Sequence, residues 1–257
     1  MQKNGLLMNL SQNEKDYNRL LLDDDALDLL KELRLLVVGL GGLGSFVTTE
    51  LVRLGAKNLI LVDNDRVSFS NLNRQILYDR SDVGKSKALV ASKKLKKIDP
   101  SVNIEAFDAG FTAANGSYLV EKADIVIDCT DNFETKRLLN RICYVKGRGL
   151  ISAGVGSWEG WVASFPFFRK EEKEIPCLEC LFPGDLETLK ELGGGNLPTV
   201  VTTVAVVASV QVQEVINLIT QNGENLEGKT LIVDLKTYQW VPVKLSKNPQ
   251  CPVCSPS

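Results

Sequence analysis

Histidine is missing altogether from these 257 residues. That excludes nucleophilic catalysis of the Ser-His and Cys-His kinds and restricts any metal site to cysteine or carboxylate ligands. A basic excess is missing too. Lysine and arginine number 30 against 32 aspartates and glutamates, a formal charge of -2, so neither nucleic acid nor a membrane surface is an expected partner. The first residues, MQKNGLLMNLSQNEKDYNRLLL, lack a basic segment followed by an unbroken apolar one. They do not read as a secretory signal, and a cytoplasmic protein is expected. The one stretch that suggests a membrane, TVVTTVAVVASV from Thr199 to Val210, is interrupted by Gln211, Gln213 and Glu214, short of the about 20 residues a span needs. It reads as a buried core helix with Pro198 at its start.

What is present points to one α/β domain. With 44% of its residues hydrophobic, the chain can bury a large core without staples. DDALDLLKEL reads as an amphipathic helix, RLLVVGLGGLG as a buried strand entering a glycine turn, SFVTTELVRLGA as a helix stopped by Gly55, and NLILVD as the next strand. VNIEAFDA and DIVIDCTDN read as further strands separated by a helical SYLVEKA. This alternation predicts a Rossmann-like, doubly wound parallel sheet. After about Ile151, LISAGVGSWEGWVASFPFF reads as two strands around a turn and TLIVDLKTYQWVPVKL as a hairpin, so the second half of the sheet is expected to be mixed or antiparallel. ELGGGNLP, following FPGDLETL, is the candidate mobile loop.

The glycine turn is GLGGLG, Gly39 to Gly44. Backbone without side chains lets a phosphate reach the N–H groups at a helix start, where the dipole favours negative charge. Asp63 closes the next strand, where an acid binds ribose hydroxyls. A tight strand-to-helix turn explains the glycines alone; strand, helix and Asp63 together favour nucleotide binding, without separating NAD from ATP. The polar stretch that follows, DNDRVSFSNLNRQIL, separates them. A dinucleotide held by its glycine turn has no evident need for Asn71, Arg74 and then Lys87, whereas a triphosphate undergoing transfer calls for further cations on its oxygens. Asp131, in DCTDN at a strand end, sits where open α/β sheets bind ligands and can hold Mg²⁺ against phosphates. Surface solvation of Arg74 and Lys87, and a helix cap at Asp131, are the plainer readings.

CLEC, Cys177 to Cys180, and CPVC, Cys251 to Cys254, form two C-x-x-C knuckles of the kind tetrahedral zinc needs. Redox-active pairs or disulfides are the alternatives; a cytosolic setting disfavours disulfides, and no thioredoxin-like unit surrounds either pair.

Together VVGLGGLGS, LVDNDRVSFSNLNRQ, DVGKSKA and DCTDN, in this order and spacing, resemble the ubiquitin-activating-enzyme-like adenylyltransferases, the ThiF/MoeB/HesA family. They look most like the bacterial sulfur-carrier activators of molybdopterin and thiamine biosynthesis. The resemblance runs from about Tyr17 to Cys254. It implies a single adenylation domain over 1–257, with an N-terminal helical segment (1–34), an ATP-binding half (35–150) and a carrier-binding, zinc-holding half (151–257). It places Gly39, Gly41, Gly42 and Gly44 along the phosphates of ATP and Asp63 on the ribose. Asn71, Arg74 and Lys87 fall on phosphate oxygens, Asp131 on Mg²⁺, and Asp65 and Asn132 beside the nucleotide. YNRLLL resembles the family's YxRQ stretch, so Arg19, here followed by Leu20, is expected to reach the ATP of the other subunit in a homodimer. Zn²⁺ on Cys177, Cys180, Cys251 and Cys254 would be structural, tying the C-terminus to the second half of the sheet. The implied reaction adenylates the C-terminal glycine of a small ubiquitin-like sulfur carrier ending in Gly-Gly. An ionised carboxylate attacks the α-phosphate, so no histidine is needed to abstract a proton. The same chemistry on a peptide or small-molecule carboxylate is the second reading, and an NAD-binding oxidoreductase the third. One departure stands out: Leu181 to Gln250 contains no cysteine, where relatives that form a thioester or acyl-disulfide carry one. Cys129 and Cys143, in a predicted strand and helix, read as packing residues.

Overall fold

The computed structural model describes residues 22, 24–170, 174–191, 198–220 and 225–255. Arg19 and the rest of the N-terminal segment before residue 22 lie outside the described residues, as do 192–197 of the glycine-rich loop.

One eight-stranded sheet organises the chain, in the order β3-β2-β1-β4-β5-β6-β7-β8. The strands β1 (Arg34–Val38), β2 (Asn58–Val62), β3 (Asn103–Phe107), β4 (Ile125–Asp128) and β5 (Gly149–Gly156) are parallel. From β5 onward the strands β6 (Glu159–Pro166), β7 (Lys229–Asp234) and β8 (Gln239–Lys244) pair antiparallel. The sheet is therefore parallel first and antiparallel later, as the sequence leads one to expect.

The runs LLVV of β1 and LILV of β2 are apolar and buried because helices cover both faces of the sheet. Leu35 and Val37 of β1 pack with α2 (Gly42–Leu54), α3 (Lys87–Ile98) and α8 (Val201–Thr220). Leu36 and Val38 face the opposite layer, built on α4 (Ala113–Glu121) and α5 (Phe133–Lys146). Truncating the fully buried Leu36 to alanine should cost about 2–5 kcal/mol. The remaining helices are α1 (Asp24–Glu32) and the short α6 (Leu178–Leu181) and α7 (Leu186–Glu191).

The α8 expectation needs correction on two counts. The helix continues through Gln211 and Glu214 and has 20 residues, so length does not exclude a membrane span. Its interior contacts identify it as a core helix instead. Gln211 is fully buried, donating from Nε2 to the Asp128 carbonyl at 3.0 Å, and Glu214 accepts from the Leu226 N–H at 2.9 Å. Pro198 also stands ahead of the helix rather than in its first turn. Its carbonyl accepts from the Ser157 N–H at 2.8 Å, beside a bridge between Ser157 and Thr199. β8, at the sheet edge, is exposed along its whole length and contains Pro242.

Candidate active site

The glycine turn leaves β1 and enters α2 with no side-chain cap on the helix, so the first-turn N–H groups are left for a ligand. Its shape is enforced sterically. Gly39 has φ +89°, and a β-carbon there would lie 2.7 Å from the Cys129 carbonyl oxygen. At Gly44 a β-carbon would lie 2.0 Å from the Gly39 oxygen. Gly39, Gly41 and Gly42 line the main cavity, about 860 Å³ in volume, and Gly44 does not. Gly44 is a buried position whose lack of a side chain lets helix and turn approach closely.

Asp63, at the end of β2, is held by two backbone donors: Leu40 N–H at 2.6 Å on one oxygen and Asp65 N–H at 2.7 Å on the other. Burial raises its pKa, opposed by the Leu40 N–H and the Lys87 charge. The carboxylate is thus fixed, with lone pairs left for ribose hydroxyls. Lys87, 5% exposed at its side chain, pairs with Asp65 at 2.7 Å, so its charge already has a partner inside the cavity. Arg74 donates to the Ser70 carbonyl and to Asn73 Oδ1 at 3.1 and 3.0 Å. Asn71 accepts from the Ser68 N–H in a short capped turn. Asn132 spends its side-chain Oδ1 on the α5 cap, accepting from Thr135 N–H at 2.9 Å. Asp131 is exposed and forms no hydrogen bond or ion pair among the described residues. A free carboxylate lining this cavity is a suitable Mg²⁺ ligand.

All these residues except Gly44 line the one cavity, and so does Gln75, which the sequence reading left out of the site. Gln75 is 3% exposed and its Oε1 has no partner among the described residues. Being uncharged, it signalled itself only by its place in NLNRQ. The cavity extends past the nucleotide residues onto β5 and β6, where Gly154, Trp161, Phe182 and Lys136 form its far wall. The Trp161 and Phe182 rings are 4.9 Å apart, and Phe182 meets Phe133 edge-on at 5.1 Å. Nothing local in the sequence links these residues; the sheet order brings them together.

The four knuckle cysteines converge. Their sulfurs lie within 4.8 Å of one another, with Cys177 and Cys251 at 3.5 Å and Cys180 and Cys254 at 3.4 Å. Tetrahedral zinc separates its sulfurs by about 3.8 Å, so the arrangement fits that ion, and all four cysteines are free of disulfides. Burial pushes the Cys177 thiol up to about 12, and the Asn140 side chain opposes this. The Asn140 amide nitrogen has no oxygen partner, which suits a donor to a thiolate. The cluster packs in the same apolar layer as Leu150, Ala163 and Phe165 of the second half of the sheet, and it also docks on α5. Asn140 accepts from Leu178 N–H at 3.0 Å, Arg141 pairs with Glu179 at 2.8 Å, and the Tyr144 hydroxyl donates to the Cys254 carbonyl at 3.3 Å. Cys129 and Cys143 are buried, and burial raises both thiols far above their usual range, in keeping with packing.

The comparisons with known proteins agree with this geometry. A sulfur carrier protein adenylyltransferase of Thermus thermophilus is 36% identical over 231 residues, 88% of this chain and 83% of that protein. A molybdopterin-synthase adenylyltransferase of Salmonella typhimurium is 36% identical over 242 residues, 93% of this chain and 95% of that protein. Among solved structures, Escherichia coli MccB with ATP superposes with a TM-score of 0.77 at 24% identity, covering 89% of this chain and 68% of that one; at that identity the likeness speaks for the fold. The ThiF family profile matches residues 16–253, and with these relatives that match establishes that the chain belongs to the ThiF family.

Proposed function

We propose that this protein is an ATP-dependent adenylyltransferase that activates the C-terminal glycine carboxylate of a small ubiquitin-like sulfur carrier. The observation that carries the reading is the single cavity, which joins an uncapped helix start, Asp63, Arg74, Lys87 and Asp131 to an open groove on β5 and β6. Asp63 would orient the ribose and the glycine turn the phosphates. Arg74 and Lys87 would neutralise charge as a carboxylate oxygen bonds to the α-phosphorus and the bond to the β-phosphate bridging oxygen breaks, releasing pyrophosphate. No proton moves, so a site without histidine suffices. Mg²⁺ held by Asp131 would supply further charge neutralisation on the phosphates. The lack of a side chain at Gly154 makes room for the Trp161 ring, which lines the groove where the acceptor tail would lie.

Zinc on the four cysteines would be structural, since all four coordination positions are filled by protein. A homodimer with Arg19 crossing to the partner's nucleotide, and a cytoplasmic setting, complete the reading. Pyrophosphate exchange into ATP tests it. Exchange that depends on a Gly-Gly-ended carrier is expected. Exchange with a peptide or small carboxylate but not with any such carrier would reassign the acceptor, and no exchange with any carboxylate would remove the activity.

A further inference from the structure

α5 carries, one turn beyond Asp131 and Asn132, a buried lysine that no motif marks. The Lys136 side chain is 5% exposed and that of Asp128 fully buried. Lys136 Nζ donates to Asp128 Oδ2 at 3.1 Å and to the Ala153 carbonyl at 2.6 Å. Ser152 Oγ donates to the same Asp128 oxygen at 2.5 Å, and the other oxygen accepts from the Thr130 N–H and Oγ1 at 3.0 and 2.7 Å. These bonds fix the turn that leads from β4 to Asp131. On its far side the Lys136 ammonium stands 5.6 Å from the centre of the Trp161 ring. One cation therefore joins the end of β4, the middle of β5 and the aromatic wall of the cavity.

A buried ion pair is a poor device for stability, because desolvation of both charges offsets their attraction and apolar residues of equal volume often do as well. What it supplies here is fixed spacing between the two ends of the cavity. We propose that Lys136 is a positioning residue for adenylation, holding the Asp131 turn and the Trp161 wall at the separation that lets nucleotide and acceptor carboxylate meet in line. This role rests on the adenylyltransferase reading above.

Three variants of the full chain test it: Lys136→Met, Lys136→Arg, and the double Lys136→Met with Asp128→Asn, which leaves no unpaired charge buried. Carrier-dependent pyrophosphate exchange, calorimetric binding of a non-hydrolysable ATP analogue and thermal melting are the readouts. Lys136→Met should lose on the order of 10²-fold in kcat while binding the analogue nearly as the wild type does, and Lys136→Arg should recover most of the loss. The double variant should regain melting temperature without regaining kcat, and it supplies the kinetic readout if Lys136→Met does not fold. Recovery of kcat together with melting temperature in the double variant, or near-normal kcat in a folded Lys136→Met, would overturn the role. Wild-type protein without exchange would overturn the adenylation reading, and this role with it; unaffected variants of an active wild type overturn the role alone.

Discussion

Asp131 and Arg74 differ in how far they are committed before a ligand arrives. The first has no partner among the described residues, and the second is oriented by Ser70 and Asn73. Neither supports the core, so replacing either with alanine should leave the melting temperature close to wild type. Each change should remove about 10²-fold or more of the adenylation rate, since it deletes a preorganised charge beside the reacting phosphates. Pyrophosphate exchange measured alongside a melt checks this, and near-normal exchange in either variant would take that residue out of the mechanism. Both residues were legible in the sequence because charge next to a nucleotide strand is conspicuous. Gln75 and Lys136 were not. An uncharged amide carries no electrostatic signal, and the partners of Lys136 at Asp128 and Ala153 belong to strands whose adjacency only the sheet order reveals.

At the level of elements, the strands were read from the sequence more faithfully than the helices. Runs such as LLVV and LILV declare burial on both faces, whereas α3, KALVASKKLKKI, hides its core residues Ala88, Val90, Ala91 and Leu95 among lysines. The apolar run of α8 breaks at Gln211 but the helix does not, because Gln211 and Glu214 are buried with hydrogen-bond partners. Two elements make testable demands of their own. Beyond α3, Asp99 meets Lys57, just before β2, at 2.5 Å. Burial tends to raise the Asp99 pKa, but hydrogen bonds from Lys57 and Ser101 hold it at about 2. A depressed carboxylate contributes stability above its unfolded value of about 3.9 and loses it as pH falls through the folded one. The gap in urea midpoint between wild type and Lys57→Met should accordingly be constant above about pH 4 and close as pH approaches about 2; a gap that persists there would remove the pair from acid stability. The cysteine knuckles make the second demand. One zinc per chain is expected, and stripping it should lower the melting temperature strongly, because a structural zinc contributes roughly 10 kcal/mol or more of apparent binding energy. Metal analysis of chelator-free protein that finds no zinc and four oxidised thiols would count decisively against that assignment.

The whole molecule is expected to work as a pair of chains. With Arg19 supplied in trans, mixing Arg19→Ala with Asp131→Ala should restore activity on subunit exchange, because each heterodimer then holds one site with both lesions and one with neither. The restored rate should approach half of wild type per heterodimer. Verified exchange without any recovery would confine Arg19 to its own subunit or to no role. The fold and the polar lining of the cavity were readable at this scale because four motifs fall in order along the first half of the chain. The placement of the knuckles on α5 was not, since Cys177 and Cys251 are 74 residues apart in sequence. That separation also has a meaning in time. At about 5–20 residues per second, ribosomes add residue 251 roughly 4–15 seconds after residue 177, and throughout that interval CLEC waits with half of its cluster unmade. Phe182, two residues past the first knuckle, packs against Trp161 and Phe133, so the late completion of the cluster anchors a segment that also forms the wall of the cavity.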